Sequence, residues 1–435
     1  MTTTLDLAGI GIGPFNLSLA AQLDSIDGLH VRFFERNARF DWHPGMMLPG
    51  VELQTSFLKD LVTATNPTSP WSFIAYLVAH RRFYEFLNAD FEAVPRQEFA
   101  RYLAWVAERL STLRFNCAVR EVGFNGELFT LAFGHETRTA RNLSIGVGLV
   151  PQIPDWARLI LGSKGFHSSE AAHRLGDMEG RRIAVIGGGQ SGAEIMLHLL
   201  SAPRAGAEIT WLSRRPNFQP LDDSPFVNEF FTPHYVERFH RLAEQRRAAT
   251  VMRQKLAGDG ISLSTLRAIY RRIYELKHFS AGPEIGLLPH REVLELTQDR
   301  DEVRLVMRNG FDGGIEMLSA DMIVLATGYR YEIPECLAPL REKLALDDNG
   351  HVRLASDFSA KWDGPANRHI FVLNGGRFSH GIAEPQLSLM AWRSAVIANA
   401  LVGRPHFDTE PASQLVQWTG DDGRSRLRNA AGLRA

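Results

Sequence analysis

The 435-residue chain carries 48 basic against 49 acidic residues, a hydrophobic share of 45% and a charged share of 22%. Its balanced charge argues against a nucleic-acid partner, which calls for a basic excess, and its length calls for two or three domains rather than one core. No apolar run reaches the roughly 18 residues of a membrane span, and the two cysteines, Cys117 and Cys336, form neither a CxxC dithiol nor a zinc-ligand spacing.

The first predicted element is a short buried strand over 5–12. Gly9, Gly11, Gly13 and Pro14 interrupt the apolar run where a signal peptide would continue, and no basic segment precedes it, so a cytoplasmic protein is expected. A helix is predicted over 16–23 and a second strand over 31–35. Helical periodicity returns over 96–110. Residues 142–148 (NLSIGVG), followed by Pro151 and Pro154, read as a strand leaving the first domain. The same grammar then recurs: strand 182–186 (RIAVI), glycine turn 187–192, helix 193–200 and strand 209–213 (ITWLS). Residues 217–235 are rich in Pro, Asp and Asn and predicted irregular. Residues 238–276 read as helical apart from a break at Gly258-Asp259-Gly260. A strong strand follows over 321–325, and a shorter one over 370–373 stops at Asn374-Gly375-Gly376. The polar tail from Gly420 onward is expected to be disordered.

Strand, glycine turn, helix and a second strand make the opening of a Rossmann unit, and this chain has two. In the first, Gly9, Gly11 and Gly13 allow a tight turn and close approach of a pyrophosphate, although Pro14 breaks the strict GxGxxG pattern. Glu35, closing the second strand, is the candidate for ribose hydroxyls. A purely structural glycine turn is the alternative. In the second unit Gly187, Gly189 and Gly192 match the pattern in full, with Gln190 and Ser191 between them. There the second strand runs into Ser213, Arg214 and Arg215 in place of an acid. Arginine at that point suits a 2′-phosphate and hence NADPH, unless these are merely solvated loop residues.

Asp321, then Leu325-Ala326-Thr327-Gly328-Tyr329 and Pro334, resembles the D-x3-L-ATGY-x4-P signature of the amine N-hydroxylating flavoprotein monooxygenases. WHPGMMLPG (42–50), LQTSFLKDLVT (53–63), NPTSPWSF (66–73), GGGQSGAE (187–194), DDSPFVNEFF (222–231) and HGIAEPQLSLMAWRSA (380–395) resemble the same family in order. The likeness is strongest to its lysine N6-hydroxylating branch, the type that serves aerobactin-like siderophores.

That resemblance implies an α/β fold of two Rossmann-like dinucleotide-binding domains, for FAD and NADPH, with a small helical substrate-binding region. The FAD domain is expected over 1–160 and 326–425, the NADPH domain over 161–216 and 280–325, the substrate region over 217–279 and a tail over 426–435. It further implies that Gln54 lies beside flavin and nicotinamide, Lys59 holds a substrate carboxylate, Asn228 contacts the substrate, and Arg214 grips the 2′-phosphate. Trp42, His43, Thr327, Gly328 and Tyr329 would belong to the cofactor sites. His380 stands open between a catalytic group near the flavin and a structural histidine.

The implied reaction is NADPH-dependent hydroxylation of the L-lysine side-chain amine by O2 through a C4a-hydroperoxyflavin. Homo-oligomers are common in the family. Ornithine enzymes carry an Asn-Tyr pair where this chain has Gly258-Asp259-Gly260-Ile261-Ser262, which favours lysine. Diamines such as cadaverine or putrescine lack a carboxylate, and their second ammonium would repel Lys59. A non-hydroxylating pyridine nucleotide flavoprotein reductase is the alternative of another class, and the missing dithiol counts against its disulfide-reducing members.

Overall fold

Leu5–Ile10 is buried along nearly its whole length, as a strand covered on both faces must be, and it is a central strand of the first sheet. The computed structural model describes residues 4–176, 181–201, 206–279, 282–299, 302–411 and 415–419. Leu5–Ile10 pairs in parallel with Val31–Phe34 on one side and with Glu136–Ile145 on the other. Val31–Phe34 continues to Leu113–Arg114. The ten-residue strand Glu136–Ile145 divides its free edge: its first half takes Phe129–Phe133 antiparallel, and its last three residues take Ile370–Val372 in parallel.

Pro14–Leu23, Arg96–Ala107 and Met390–Val402 pack on one face of this sheet, through Leu17, Phe33, Phe99, Tyr102 and Ile397. The other face meets the antiparallel strands and Leu337, Leu340 and Leu354.

The second sheet is wholly parallel, in the order Glu284–Pro289, Glu208–Ser213, Arg182–Ile186, Met322–Leu325, Gly165–His167. Alternation sends Ile183 and Val185 toward helices Gln190–Ser201 and Leu263–Phe279, and Ala184 and Ile186 to the opposite face. That opposite face is covered by an antiparallel sheet of Arg291–Gln298, Val303–Asn309 and Ile315–Ala320. The chain crosses between the two sheets along paired straps, where Val150–Pro151 lies antiparallel to Tyr329–Arg330.

Several expected boundaries shift for local reasons. The first strand ends at Ile10, because Gly11 takes φ 82, and the helix starts at Pro14 rather than Asn16. Proline is well suited to a first helical position, where its missing N–H costs nothing. The strand expected at 142–148 is Glu136–Ile145, and the glycines at 146 and 148 lie beyond it. Residues 217–235, expected to be irregular, contain a 3₁₀ turn at Val227–Phe231 and the start of helix Pro233–His240, capped by the Thr232 hydroxyl. The long helical stretch divides into Glu244–Arg253, Lys255–Asp259 and Leu263–Phe279, broken at Gly260. The tail from Gly420 lies outside the described residues.

Candidate functional site

The first glycine turn joins Leu5–Ile10 to Pro14–Leu23. A Cβ on Gly9 would strike the Phe33 ring at 2.0 Å, and one on Gly11 would come within 2.7 Å of the Gly146 carbonyl oxygen. Gly13 is the extended residue that caps the helix, and a Cβ there would meet nothing nearer than 3.6 Å. Backbone N–H groups at a helix start, free of side-chain bulk, favour an anion. Glu35 stands beside this turn, accepting from Ile12 N and from Asn37 N, each at 2.9 Å. Beneath it, buried Asn16 donates to the Gly11 carbonyl at 2.8 Å and accepts from the Ser144 hydroxyl at 2.6 Å. Asn16 and Ser144 brace the turn, and no motif pointed to them, because 128 residues separate the pair.

The second turn is built on different contacts. Gly187 has φ 140, and a Cβ there would lie 1.9 Å from the Ala326 carbonyl oxygen. Gly188 and Gly192 are equally confined, by Ser213 Oγ at 2.1 Å and Gly187 O at 2.2 Å. Only distant atoms face Gly189, the nearest being Asp259 O at 3.9 Å. The expected trio of Gly187, Gly189 and Gly192 therefore divides into packing glycines and one open position, with Gly188 an additional packing glycine.

Gln190 is engaged by protein through both ends of its amide: Nε2 donates to Glu194 at 3.0 Å, and Oε1 accepts from Ser262 N at 2.8 Å. Ser191 lies half-buried in the first turn of the same helix. Arg214 is exposed. Its neighbour Arg215 is half-buried, donates Nη2 to Asp259 O at 2.9 Å, and keeps a buried Nη1 without a partner among the described residues.

The ATGY string is the strap itself. Ala326 N donates to Ile186 O at 2.8 Å, Thr327 Oγ1 donates to Gln152 O at 2.6 Å, and Gly328 O accepts from Gln152 N at 2.8 Å. Tyr329 packs edge-on against His167, with ring centres 5.0 Å apart, and lies 6.3 Å from His43. Burial pushes its phenol above the ordinary value. His43 takes a left-handed φ of 49, next to Trp42 at 5.4 Å. The residue is exposed, yet the surrounding protein and the Arg96 charge push its pKa down to about 4. Four segments distant in sequence, those of Trp42-His43, Gln152, His167 and Ala326–Tyr329, thus converge at the strap.

Gln54 and Lys59 sit on a loop whose shape depends on Asp60. That carboxylate is buried and accepts from Val62 N at 3.0 Å, Thr63 N at 2.7 Å, Thr63 Oγ1 at 2.7 Å and Phe73 N at 2.7 Å. With its loop so fixed, Lys59 is half-buried, and burial lowers its pKa. Among the described residues no carboxylate pairs with its ammonium. Gln54 is exposed and donates to Ser262 Oγ at 3.1 Å, which joins it to the 258–262 segment. Asn228 is exposed on the 3₁₀ turn and donates to Asp223 O at 2.9 Å.

His380 is buried, 1% exposed, and stacks between Phe358 at 4.2 Å and His240 at 4.6 Å. Desolvation holds it well below its ordinary pKa. A cavity of about 640 Å³ opens within the helical region, lined by Phe230, Tyr235, Gln254 and Trp418 among others, but not by Gln54, Lys59 or Asn228. Among the described residues no cluster of His, Cys, Asp and Glu could hold a metal, and no helix is long and apolar enough to cross a membrane.

Two glycine turns, each between a parallel strand and a helix, one answered by an acid and the other by arginines, define an oxidoreductase that binds two dinucleotides. The residues present are compatible with both groups: a Cβ at Gly13 or Gly189 would meet no atom nearer than 3.6 Å, Glu35 closes the first turn with an acid, and Arg214 and Arg215 follow the second. The family model for L-lysine 6-monooxygenase/L-ornithine 5-monooxygenase matches residues 3–331. The L-lysine N6-monooxygenase of Escherichia coli is 42% identical over 96% of this chain and 99% of its own. Among solved structures, the FAD-bound cadaverine monooxygenase of Erwinia amylovora superposes with a TM-score of 0.90 at 29% identity, over 96% of this chain and 99% of its own. The Kutzneria sp. 744 ornithine N-hydroxylase, with reduced FAD, NADP+ and L-ornithine, gives 0.83 at 30% identity, over 92% and 99%. The chain belongs to this family of FAD- and NADPH-dependent monooxygenases, which hydroxylate the nitrogen of a small amine.

Proposed function

We propose that the protein converts L-lysine to N6-hydroxylysine with NADPH and O2, for hydroxamate siderophore synthesis in the cytoplasm. The observation that carries this is Lys59, a half-buried ammonium on a loop held by Asp60, with no carboxylate paired to it among the described residues. A substrate α-carboxylate would supply that charge, and a diamine would not. The likeness to the lysine enzyme of E. coli supports the same choice, as does the Gly258-Asp259-Gly260 segment.

When bound, FAD supplies the two-electron oxygen chemistry and NADPH the hydride. The net change is R–NH2 + O2 + NADPH + H+ to R–NHOH + H2O + NADP+. The chain's own work is binding and orientation. Gly9, Gly11, Gly13, Pro14, Glu35, Trp42 and His43 would hold FAD. Gly187, Gly189, Gln190, Ser191, Gly192 and Arg214 would hold NADPH, with Gln190 acting through the backbone, since both ends of its amide are already bonded to Glu194 and Ser262. Thr327, Gly328 and Tyr329 would close the seam between them. Gln54 would face the reacting groups, and Asn228 the amino acid.

The attacking amine must be neutral, and deprotonating a group of pKa near 10.4 at about pH 7.5 costs about 4 kcal/mol. A water-poor pocket offsets part of that by disfavouring the ammonium. We assign His380 to packing, because a ring 1% exposed between two others has no route to a substrate proton. Association into a homo-oligomer is also proposed, as is common in the family.

The test is hydroxylated product from Lys59→Ala with lysine and with cadaverine. Loss of lysine affinity alone supports the carboxylate role. Equal loss for both substrates removes it.

A further inference from the structure

The 258–262 segment touches both nucleotide-binding halves. Toward the second sheet, Asp259 O accepts from Arg215 Nη2 at 2.9 Å, and Ser262 N donates to Gln190 Oε1 at 2.8 Å. Toward the first sheet, the Asp259 carboxylate meets Arg377 Nη2 at 3.0 Å, and Gly258 O accepts from Gln386 Nε2 at 3.2 Å. Backbone bonds hold the segment as well. Ile261 N donates to Gln219 O at 3.1 Å, Leu221 N donates to Ile261 O at 2.7 Å, and a Cβ on Gly260 would strike Leu221 Cα at 2.2 Å.

One residue thus carries both attachments: its carbonyl holds the arginine beside the second turn, and its carboxylate holds Arg377, three residues past Asn374 in the turn that follows the first sheet's Ile370–Val372. Arg215 Nη1 is left over, buried and without a partner among the described residues, beside the turn where a phosphate is expected. The Asp259–Arg377 pair is partly exposed, at 38% and 34% of the two side chains, so its worth to overall stability is small. Its worth lies in where it holds the two halves.

We propose that Asp259 is a positioning residue that fixes the second glycine turn, through Arg215, against the Arg377 segment of the first sheet, and so sets how much NADPH oxidation ends in hydroxylated amine. This rests on the N-hydroxylase reading above. Coupled turnover takes R–NH2 + O2 + NADPH + H+ to R–NHOH + H2O + NADP+. The leak takes O2 + NADPH + H+ to H2O2 + NADP+. Both consume one NADPH, and they differ in whether the amine is held in place and water kept out while oxygen is activated. A seam that opens more often admits water and favours the leak.

The experiment uses the FAD-loaded full chain with Asp259→Ala, which keeps the carbonyl to Arg215, Arg377→Gln, and the two combined. Hydroxylated lysine per NADPH oxidised should fall about two- to fivefold in each single variant, the range a partly exposed ion pair supports. The combined variant should be no worse than either, as expected when both remove one interaction. Hydrogen exchange of 254–262 in the presence of NADP+ should rise in all three, with the melting temperature unchanged. Unchanged coupling and exchange in both single variants of a hydroxylating wild type, or additive losses in the combined one, overturns this inference alone. A wild type that hydroxylates neither lysine, ornithine, cadaverine nor putrescine overturns the N-hydroxylase reading and this inference with it.

Discussion

Alanine at Gly187 and at Gly189, two residues apart in one turn, should fail in different ways. At Gly187 a Cβ meets the Ala326 carbonyl oxygen at 1.9 Å, in a backbone conformation with φ 140. Neither side yields easily, since Ala326 N is bonded to Ile186 O at 2.8 Å and Gly187 N to Leu212 O at 2.9 Å. Backbone strain of about 1–3 kcal/mol and overpacking of about 1–3 kcal/mol give a loss of about 2–6 kcal/mol. At Gly189 the nearest atom is 3.9 Å away, so the fold loses only the helix-cap preference for glycine, about 1 kcal/mol or less. The methyl there would instead obstruct the pyrophosphate. Loss of one hydrogen bond to a charged group, about 1.5–3 kcal/mol, corresponds to about a 10- to 100-fold rise in the KM for NADPH. Thermal melting with and without NADP+, together with NADPH titration of the reductive step, separates the two. Wild-type NADPH affinity in Gly189→Ala, or a wild-type melt in Gly187→Ala, would refute the reasoning.

Lys59→Ala should raise the KM for lysine about 10- to 100-fold, the worth of a charge-assisted bond, while NADPH oxidation slows little; steady-state kinetics in both substrates checks it. Arg214→Ala, an exposed position, should leave the melting temperature unchanged but erase most of the preference for NADPH over NADH, measured as the ratio of kcat/KM. The pH dependence of stability follows from His43 and His380, whose folded pKa values lie below the unfolded value of about 6.5. Below about pH 6.5 the unfolded chain binds protons that the folded chain refuses, so stability falls as pH drops, down through about 4 for His43. Urea midpoints at pH 7 and pH 5 should differ in that sense, and by less in His43→Gln.

Both glycine turns and their helices were legible because each is local: strand, turn and helix lie within a short stretch. The loop of Gln54 and Lys59 was legible as a motif, yet the residue that shapes it, Asp60, makes its bonds to backbone N–H groups that no pattern reveals. Gly188 resembled a spare glycine, and its confinement comes from Ser213, on the next strand. The antiparallel sheet over Arg291–Ala320 was missed although one strand advertised itself. Val303, Leu305 and Met307 alternate with Arg304 and Arg308 in Val303–Asn309, and their burial alternates likewise. The strap was read as a family signature, whereas its structural reason is Gln152, bonded to both Thr327 and Gly328 from 175 residues away.

The most direct measurement of the central claim is hydroxylated product formed by the FAD-loaded protein with NADPH and, side by side, lysine, ornithine, cadaverine and putrescine. The account predicts lysine as the sole efficient substrate, with close to one product per NADPH oxidised. A diamine turned over better than lysine would contradict it, and would remove Lys59 from its proposed contact with a carboxylate.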